Sequence, residues 1–197
     1  MHLAGLAFDA IFREADWLAP AERARLRQTV RLATLCHDLG HPPLSHTSEV
    51  LLPSVREVAV PHLTAADLDA QATHEHYTLK LLLDSALTDV LRRHDVEPRH
   101  VACLLSDEVA RDESAFVVAG RDLHNVLAAL TSSELDVDRM DYLLRDSYFT
   151  GVSYGRFDVD WLLSHLTYHD IDGRLHLALH ERALFSFDDF LLSRHHM

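Results

Sequence analysis

Residues 36 to 46, Cys-His-Asp-Leu-Gly-His-Pro-Pro-Leu-Ser-His, hold three histidines and an aspartate in one short stretch. Imidazole and carboxylate side chains such as those of His37 and Asp38 are good ligands for a divalent cation. Neighbouring side chains on a helix point about 100° apart, so these two can share an ion only near a helix end. His41 and His46 would then lie beside the ion, where a phosphate could be bound and protonated. A polar helix end with solvated histidines is the alternative, but the two further histidines favour metal-dependent phosphate chemistry.

A second cluster, Thr73-His74-Glu75-His76, begins another predicted helix, with Thr73 as its N-cap. His74 could act as a general acid and Glu75 as the carboxylate that orients it, because a carboxylate beside an imidazole stabilises the imidazolium. The alternative is a first helical turn in which Glu75 simply favours the helix dipole. The cluster by itself leaves both interpretations open.

A third segment, residues 134 to 147, reads ELDVDRMDYLLRDS. Asp138 and Asp141 are three residues apart and Tyr142 is four residues from Asp138, so these three are expected along one helix face. Apolar residues occur around the whole helix, so we expect it to be buried on most sides, where carboxylates need a metal, an arginine or another donor. Arg139 and Arg145 could bind phosphate. The alternative is an amphipathic helix that is covered with salt bridges.

Composition narrows the classes of function. The chain has 197 residues, of which 48% are hydrophobic and 25% charged, and its formal net charge is −13 without a long basic run. DNA or RNA is therefore an unlikely main ligand, whereas sixteen histidines favour metal binding. Cys36 and Cys103 form no CxxC pattern and are predicted to be buried thiols. No signal peptide or membrane-spanning run is evident, so we expect a cytoplasmic protein.

Periodicity predicts a mainly α protein with one short β-hairpin near the C-terminus, in a single domain that covers residues 1–197. Asp172-Gly173 between two short alternating runs is typical of the hairpin turn. Residues 53 to 72 are predicted to be a loop or lid. The predicted helices cover residues 3–18, 20–38, 45–53, 73–83, 86–94, 98–105, 121–131, 134–149, 157–167 and 183 to the end.

Taken together, three of these segments resemble the HD-domain phosphohydrolases, and more narrowly their dGTPase-like branch, the deoxynucleoside triphosphate triphosphohydrolases. The matching pieces are CHDLGHPPLSH at 36–46, THE at 73–75 and LDVDRMDYLLRDSYFTG at 135–151. The resemblance implies an HD-domain helical fold with a mononuclear or dinuclear metal site. It also implies hydrolysis of deoxynucleoside triphosphates (dNTPs) to deoxynucleoside and triphosphate, by a dimer or a higher homo-oligomer.

The resemblance also implies roles for individual residues, which fall into three groups. The metal ligands would be His37, Asp38 and Asp138. The catalytic and phosphate-lining residues would be His41, His46, His74 and Glu75. The residues that contact triphosphate or sugar would be Arg139, Tyr142 and Asp146. The divalent metal could be Mn, Mg, Fe, Zn or Ni, since histidine and carboxylate ligands suit all of them to differing degrees.

One family feature is absent from the sequence. The family takes its first metal histidine from an Arg-x-x-His-Ser segment that precedes the part resembled by Met1-His2-Leu3-Ala4. We therefore expect the chain to be an internal fragment of a longer protein, without that N-terminal ligand segment. Two other functions remain open: another HD nucleotidase or phosphodiesterase with the same metal site, and a non-catalytic nucleotide-sensing subunit.

Overall fold

The computed structural model describes residues 1–64 and 67–197. Within these ranges the chain is mainly helical and has one small four-stranded sheet, which confirms the predicted fold class. The chain divides into two compact units. The first unit comprises Met1–Thr34 and Phe116–Met197, and the second comprises Leu35–Ala115. The single domain expected over residues 1–197 stays a prediction.

Local signals set several helix ends in the first unit. Pro20 opens α2 (Pro20–Cys36), as predicted, because a proline lacks only an N–H that the first helical turn leaves unpaired. Gly151 ends α8 (Val137–Thr150) in the left-handed conformation, with a φ of 74°. The other helices of this unit are α1 (His2–Ile11), α7 (His124–Thr131), α9 (Val159–Ser164) and α10 (Leu184–His196).

The first helix is shorter than the sequence predicts, since α1 ends at Ile11 and not near residue 18. Arg23 explains the early end. Its guanidinium donates to the carbonyl oxygens of Phe12 at 2.6 Å and Ala15 at 3.4 Å, so carbonyls that a longer helix would use have another partner. Phe12 then turns its buried ring onto that of Tyr168, with 5.7 Å between the ring centroids.

The burial pattern of α8 differs from the prediction. Its buried residues are Val137, Met140, Leu143 and Ser147, which follow one stripe at helical spacing. The expectation that this helix is buried on most sides is therefore wrong. The intervening polar residues reach the surface of the unit.

The sheet of the first unit has four strands, β1 (Val117–Val118), β2 (Arg121–Asp122), β3 (Leu166–Ile171) and β4 (Arg174–Leu179), which lie in the order β1-β2-β4-β3. The predicted hairpin, β3 and β4, forms its larger part. The hairpin strands β3 (Leu166–Ile171) and β4 (Arg174–Leu179) pair antiparallel around Asp172 and Gly173, both of which have positive φ. The sequence analysis missed the strands β1 (Val117–Val118) and β2 (Arg121–Asp122). Two residues are too few to show an alternating pattern.

The second unit is built around α4 (His74–Leu83), whose buried Leu79 and Leu82 face its core. The loop expected over residues 53–72 contains a helical turn, because Ser54 and Glu57 form a capping box there. Ala65 and Ala66 lie outside the described residues. The other elements are the 3₁₀ segment Ser45–Leu51 and the helices α3 (Val55–Val58), α5 (Ala86–Arg93) and α6 (Pro98–Cys103).

Among the described residues, no helix has both the length and the apolar character that a bilayer crossing requires.

Candidate active site

The His-Asp pair lies in the turn that follows α2, where the helix ends at Cys36. The carboxylate of Asp38 contacts two imidazoles. One of its oxygens is 3.3 Å from His37 Nε2 and the other is 3.4 Å from His41 Nε2. Two ligands of one tetrahedral ion with bonds of about 2.1 Å stand about 3.4 Å apart. His37 and Asp38 are thus spaced as a pair of ligands to one cation would be.

Helix α4 holds this turn in place through one buried hydroxyl. Thr78 donates a hydrogen bond to the carbonyl oxygen of His37 at 2.9 Å and accepts one from the backbone N–H of Gly40 at 2.9 Å. The side chain of Thr78 is buried, so both bonds are shielded from water. The position of the His-Asp pair therefore depends on a residue forty positions further along the chain.

Gly40 packs directly against the backbone of α4. A Cβ atom at this position would lie 2.0 Å from the carbonyl oxygen of His74 and 2.4 Å from the backbone nitrogen of Thr78. Neither atom can move without displacing the helix. The site requires glycine here because of this close approach.

We expect Gly40→Ala to lower the free energy of unfolding by about 3 kcal/mol, since the clash is with backbone atoms in a packed region. Urea unfolding measures the change. Gly5→Ala is the matched control, because its new Cβ would meet the side chains of Arg27 and Arg31 rather than backbone atoms, and alanine favours the helix. Equal unfolding midpoints for the two variants would contradict the proposed close packing.

Three imidazoles of the second unit form one cluster. The rings of His41 and His74 are stacked, with centroids 3.9 Å apart and planes 9° apart. The ring of His46 meets both nearly edge-on, at 4.8 Å from His41 and 5.1 Å from His74. The structure thus brings together the three histidines that the sequence analysis assigned to the phosphate site.

Glu49, which the sequence analysis missed, completes this cluster. Its Oε1 atom contacts Nδ1 of His74 and lies 3.3 Å from Nδ1 of His46. The hydrogen bond to His74 is the main cause that lowers the pKa of Glu49 below its ordinary value. Glu49 follows His46 by three residues, and this spacing on one helical turn was the available signal. We call His41, His46, Glu49 and His74 the histidine cluster.

The polar residues in the N-terminal turn of α4 make different contacts. Thr73 caps the helix together with His76, whose Nδ1 accepts from the backbone N–H of Thr73 at 3.1 Å. The Nε2 atom of His76 lies 3.2 Å from a carboxylate oxygen of Glu108. Glu75 is exposed, so the carboxylate that contacts the His74 ring is that of Glu49. A part for Glu75 in catalysis stays a prediction.

The predicted substrate residues lie on α8 of the first unit. Its N-cap is the buried Asp136, which accepts the backbone N–H of Arg139 at 2.8 Å, and burial raises the pKa of this carboxyl. The guanidinium of Arg139 contacts Asp136 and the carbonyl oxygen of Ser133. The guanidinium of Arg145 pairs with Asp141 at 2.6 Å. Arg139 is thus held by groups at the N-terminal end of α8, and Arg145 is held by an aspartate one turn before it on the same helix.

Asp138, Tyr142 and Asp146 are half-buried on the same helix. Each is four residues from the next, a spacing that places them along one face. Asp138 belongs to the first unit, and His37 and Asp38 belong to the second. The convergence of these three side chains on one cation stays a prediction.

The chemistry of the available ligand atoms fits a divalent metal. Each residue of the histidine cluster offers one nitrogen or oxygen atom, and these four atoms lie within 4.8 Å of one another. The His37–Asp38 pair adds a nitrogen and an oxygen 3.3 Å apart. Imidazole nitrogens and carboxylate oxygens are ligands that Mn, Fe, Zn and Ni accept. The second unit therefore offers ligand atoms that could hold a cation.

Comparisons with known proteins find relatives of this chain. An uncharacterized protein of Mycoplasma genitalium is 32% identical over 172 residues, which are 87% of this chain and 36% of that protein. A Dictyostelium discoideum protein named as a homolog of the deoxynucleoside triphosphate triphosphohydrolase SAMHD1 is 31% identical over 155 residues, which are 77% of this chain and 26% of that protein. The chain spans about a third of the length of the curated relatives it matches.

A solved structure agrees with the fold. The crystal structure of a phosphohydrolase from Bacteroides thetaiotaomicron has a TM-score of 0.65 and 24% identity, and the match covers 99% of this chain and 38% of that one. No family model matches the sequence. The chain is thus similar in sequence to a protein named as a deoxynucleoside triphosphate triphosphohydrolase homolog and in fold to a phosphohydrolase.

Proposed function

We propose that the protein is a metal-dependent phosphohydrolase that cleaves dNTPs into deoxynucleoside and triphosphate. The observation that carries this proposal is the histidine cluster, in which a carboxylate and three imidazoles meet beside the His37–Asp38 pair. A relative named as a deoxynucleoside triphosphate triphosphohydrolase homolog supports the choice of substrate. Assembly into a homo-oligomer stays a prediction.

His37, Asp38 and Asp138 would hold the divalent cation. When bound, such an ion lowers the pKa of a coordinated water and offsets negative charge on phosphate oxygens. The protein has a formal net charge of −13 and would repel an anionic nucleotide. The positive charge of the bound ion would offset this repulsion at the site.

The residues of the chain itself account for the proton transfers. Water adds to the α-phosphorus of the dNTP, and the bond from that phosphorus to the 5′ oxygen breaks. The ring of His74 gives the departing oxygen a proton, so the deoxynucleoside leaves as an alcohol. The attacking water leaves its oxygen on the triphosphate and releases one proton to solvent, from which His74 regains its own. Glu49 contacts Nδ1 of His74 and thereby directs Nε2 to the substrate. His41 stacks on the same ring and keeps its plane fixed.

The triphosphate and the sugar would be held by Arg139, Tyr142 and Asp146. The contacts of Arg139 with Asp136 and Ser133 are made through Nη1. A guanidinium has five N–H donors, so these contacts fix the side chain and other donors serve a phosphate. His46 is the most exposed member of the histidine cluster, with 70% of its side chain accessible, and would contact the outer phosphates.

Glu49 is expected to matter more for turnover than Glu75. We predict that Glu49→Gln lowers kcat about 100-fold or more, because the amide can hold His74 in the wrong tautomer. Glu75→Gln is the matched control and should have a much smaller effect, since Glu75 is exposed. Steady-state kinetics with one dNTP compare the two variants, and a greater loss in the Glu75 variant would reverse the assignment.

The lowered pKa of Glu49 also predicts a pH range. The folded pKa lies below the ordinary value of 4.5, so the Glu49–His74 contact stabilises the site above that value and is lost as the pH falls through the lowered pKa. Protonation of Glu49 should therefore not limit kcat at neutral pH. A loss of kcat near neutral pH that Glu49→Gln removes would contradict this expectation.

The proposed activity is tested by product analysis. The purified protein is incubated with each dNTP and Mn²⁺ or Mg²⁺ in water labelled with ¹⁸O, and the products are separated and weighed by mass spectrometry. We expect deoxynucleoside without label and triphosphate that carries one ¹⁸O atom. Release of a monophosphate or inorganic phosphate would identify a different nucleotidase or phosphodiesterase. Nucleotide binding without any turnover would indicate a sensing subunit.

A further inference from the structure

We propose that Thr78 is a positioning residue for the reaction, because its hydroxyl fixes where the His37–Asp38 pair lies relative to the ring of His74. This inference rests on the proposed function, in which the pair would hold the cation and His74 would donate the proton. Its structural part, a turn held on α4 by one hydroxyl, can be tested without any turnover. The residues involved all belong to the second unit.

The hydroxyl of Thr78 makes an unusual contact for a threonine inside a helix. Such a hydroxyl commonly bonds to the carbonyl oxygen four residues earlier in the same helix, which in α4 belongs to His74. It donates instead to the carbonyl oxygen of His37 at 2.9 Å and accepts the backbone N–H of Gly40 at 2.9 Å. Both its donor and an acceptor position therefore serve the turn that carries the His-Asp pair.

The same helix carries the proposed acid. Thr78 and His74 are one turn apart on α4 and therefore share a face of this helix. Close packing at Gly40 prevents a nearer approach of the turn, since a Cβ there would lie 2.0 Å from the carbonyl oxygen of His74. Packing does not oppose sliding, whereas a hydrogen bond weakens steeply when its geometry is lost. The hydroxyl therefore supplies a directional contact between the His-Asp turn and the helix of the acid.

The separation that Thr78 controls is short. The carboxylate of Asp38 lies 3.4 Å from Nε2 of His41, and the ring of His41 stacks on that of His74 with centroids 3.9 Å apart. Aromatic rings stack with a range of offsets, so this contact alone does not fix the ring of His74 along the stacking plane. Thr78 is buried, so water cannot readily replace its hydroxyl. A misplacement of about 1 Å between reacting groups can lower a rate about 100-fold.

Thr78→Val removes the hydroxyl and keeps the branched shape of the side chain. We expect kcat for dNTP hydrolysis at saturating Mn²⁺ to fall about 10- to 100-fold, because the His-Asp pair can then shift relative to His74. Thr78→Ser keeps the hydroxyl and should recover most of the lost rate. A serine variant as slow as the valine variant would contradict the assignment of the effect to the hydroxyl.

Thr29→Val is the matched control. Thr29 is buried as well, but its hydroxyl donates at 3.0 Å to the carbonyl oxygen of Arg25, one turn earlier in its own helix α2. This variant loses a local hydrogen bond and should keep the wild-type kcat. Thr78→Ala is a second variant without the hydroxyl, in case Thr78→Val fails to fold, which circular dichroism would reveal.

The choice of substrate separates placement of the acid from general damage to the site. A p-nitrophenyl phosphodiester has a leaving group that needs no proton, so on it Thr78→Val should lose much less of its kcat than on a dNTP. An equal loss on both substrates would overturn the role of Thr78 in placing His74. A wild-type rate of this variant on dNTPs would overturn it as well.

The structural part is tested on the metal-free protein by amide hydrogen exchange followed by NMR. We expect the amide of Gly40 to be protected in the wild type and in Thr78→Ser, because the hydroxyl accepts its N–H. The amide of Leu82 inside α4 serves as the reference for unfolding of the whole helix. In Thr78→Val the Gly40 amide should exchange at least about 10-fold faster relative to that of Leu82.

The outcomes separate the two proposals. Equal exchange of Gly40, relative to Leu82, in the wild type and in Thr78→Val would overturn the role of the hydroxyl, whether or not the protein hydrolyses dNTPs. A protein that turns over no dNTP with any metal would refute the proposed function and, with it, the part of Thr78 in the reaction. The exchange rates would then still decide whether the hydroxyl holds the turn on α4.

Discussion

Replacing His74 by asparagine is expected to lower kcat for dNTP hydrolysis by a factor of about 10² to 10⁴, the usual contribution of a positioned general acid. Asparagine keeps an N–H donor near Glu49, but its amide is too weak an acid to protonate the departing 5′ oxygen. The cluster should therefore remain assembled while the chemical step slows. Steady-state kinetics on the purified variant measure the loss, and circular dichroism checks the fold.

Two controls make this result specific. His76→Asn changes a histidine of the same helical turn that caps α4 and contacts Glu108, so it should lower stability rather than kcat. A p-nitrophenyl phosphodiester has a leaving group that needs no proton, and on it the His74 variant should approach the wild-type rate. An equal loss on both substrates would show that His74 acts in binding and not as the acid.

Replacing Asp38 by asparagine is expected to abolish measurable dNTP turnover, a loss of at least about 10³-fold, together with the catalytic metal. The carboxylate of Asp38 stands between His37 Nε2 and His41 Nε2, at 3.3 Å and 3.4 Å. Asparagine preserves the shape but removes the negative charge that a divalent ion requires. Elemental analysis and dNTP turnover should fall together.

Asp69→Asn serves as the control for this substitution. The Asp69 side chain is 80% exposed and pairs only with the surface residue Arg56 among the contacts described for the chain. Such a surface pair contributes little to stability, so metal content and turnover should stay at the wild-type level. If Asp38→Asn kept its full metal content and its rate, the assignment of the HD pair as the metal site would be wrong.

The sequence predicts the fold well where one residue dictates the local backbone. A helix begins at Pro20, another ends at Gly151, and Asp172 and Gly173 form the turn of the hairpin. Each of these depends on a conformational preference that acts within a few residues. Thr73 is a similar case, since its cap on α4 could be predicted from residue type and spacing.

Contacts between distant residues could not be predicted in this way. Glu49 lies 25 residues before His74. The sequence around His74 gives no sign that its carboxylate partner is Glu49 and not the adjacent Glu75. The hydrogen bond from the backbone N–H of Gly40 to the hydroxyl of Thr78 joins residues that are 38 positions apart. The end of α1 at Ile11 likewise depends on Arg23, whose guanidinium donates a hydrogen bond to a backbone carbonyl just after the helix. The periodic pattern had predicted that this carbonyl belongs to a longer helix.

The most direct test of the proposed enzyme compares one preparation of protein with and without its metal. The protein is stripped with a chelator, desalted, and assayed on a dNTP before and after Mn²⁺ or Mg²⁺ is added back. Metal-dependent phosphohydrolysis predicts triphosphate only in the sample that received the ion. Triphosphate at the same rate in the stripped protein, or none in the reloaded protein, would contradict it.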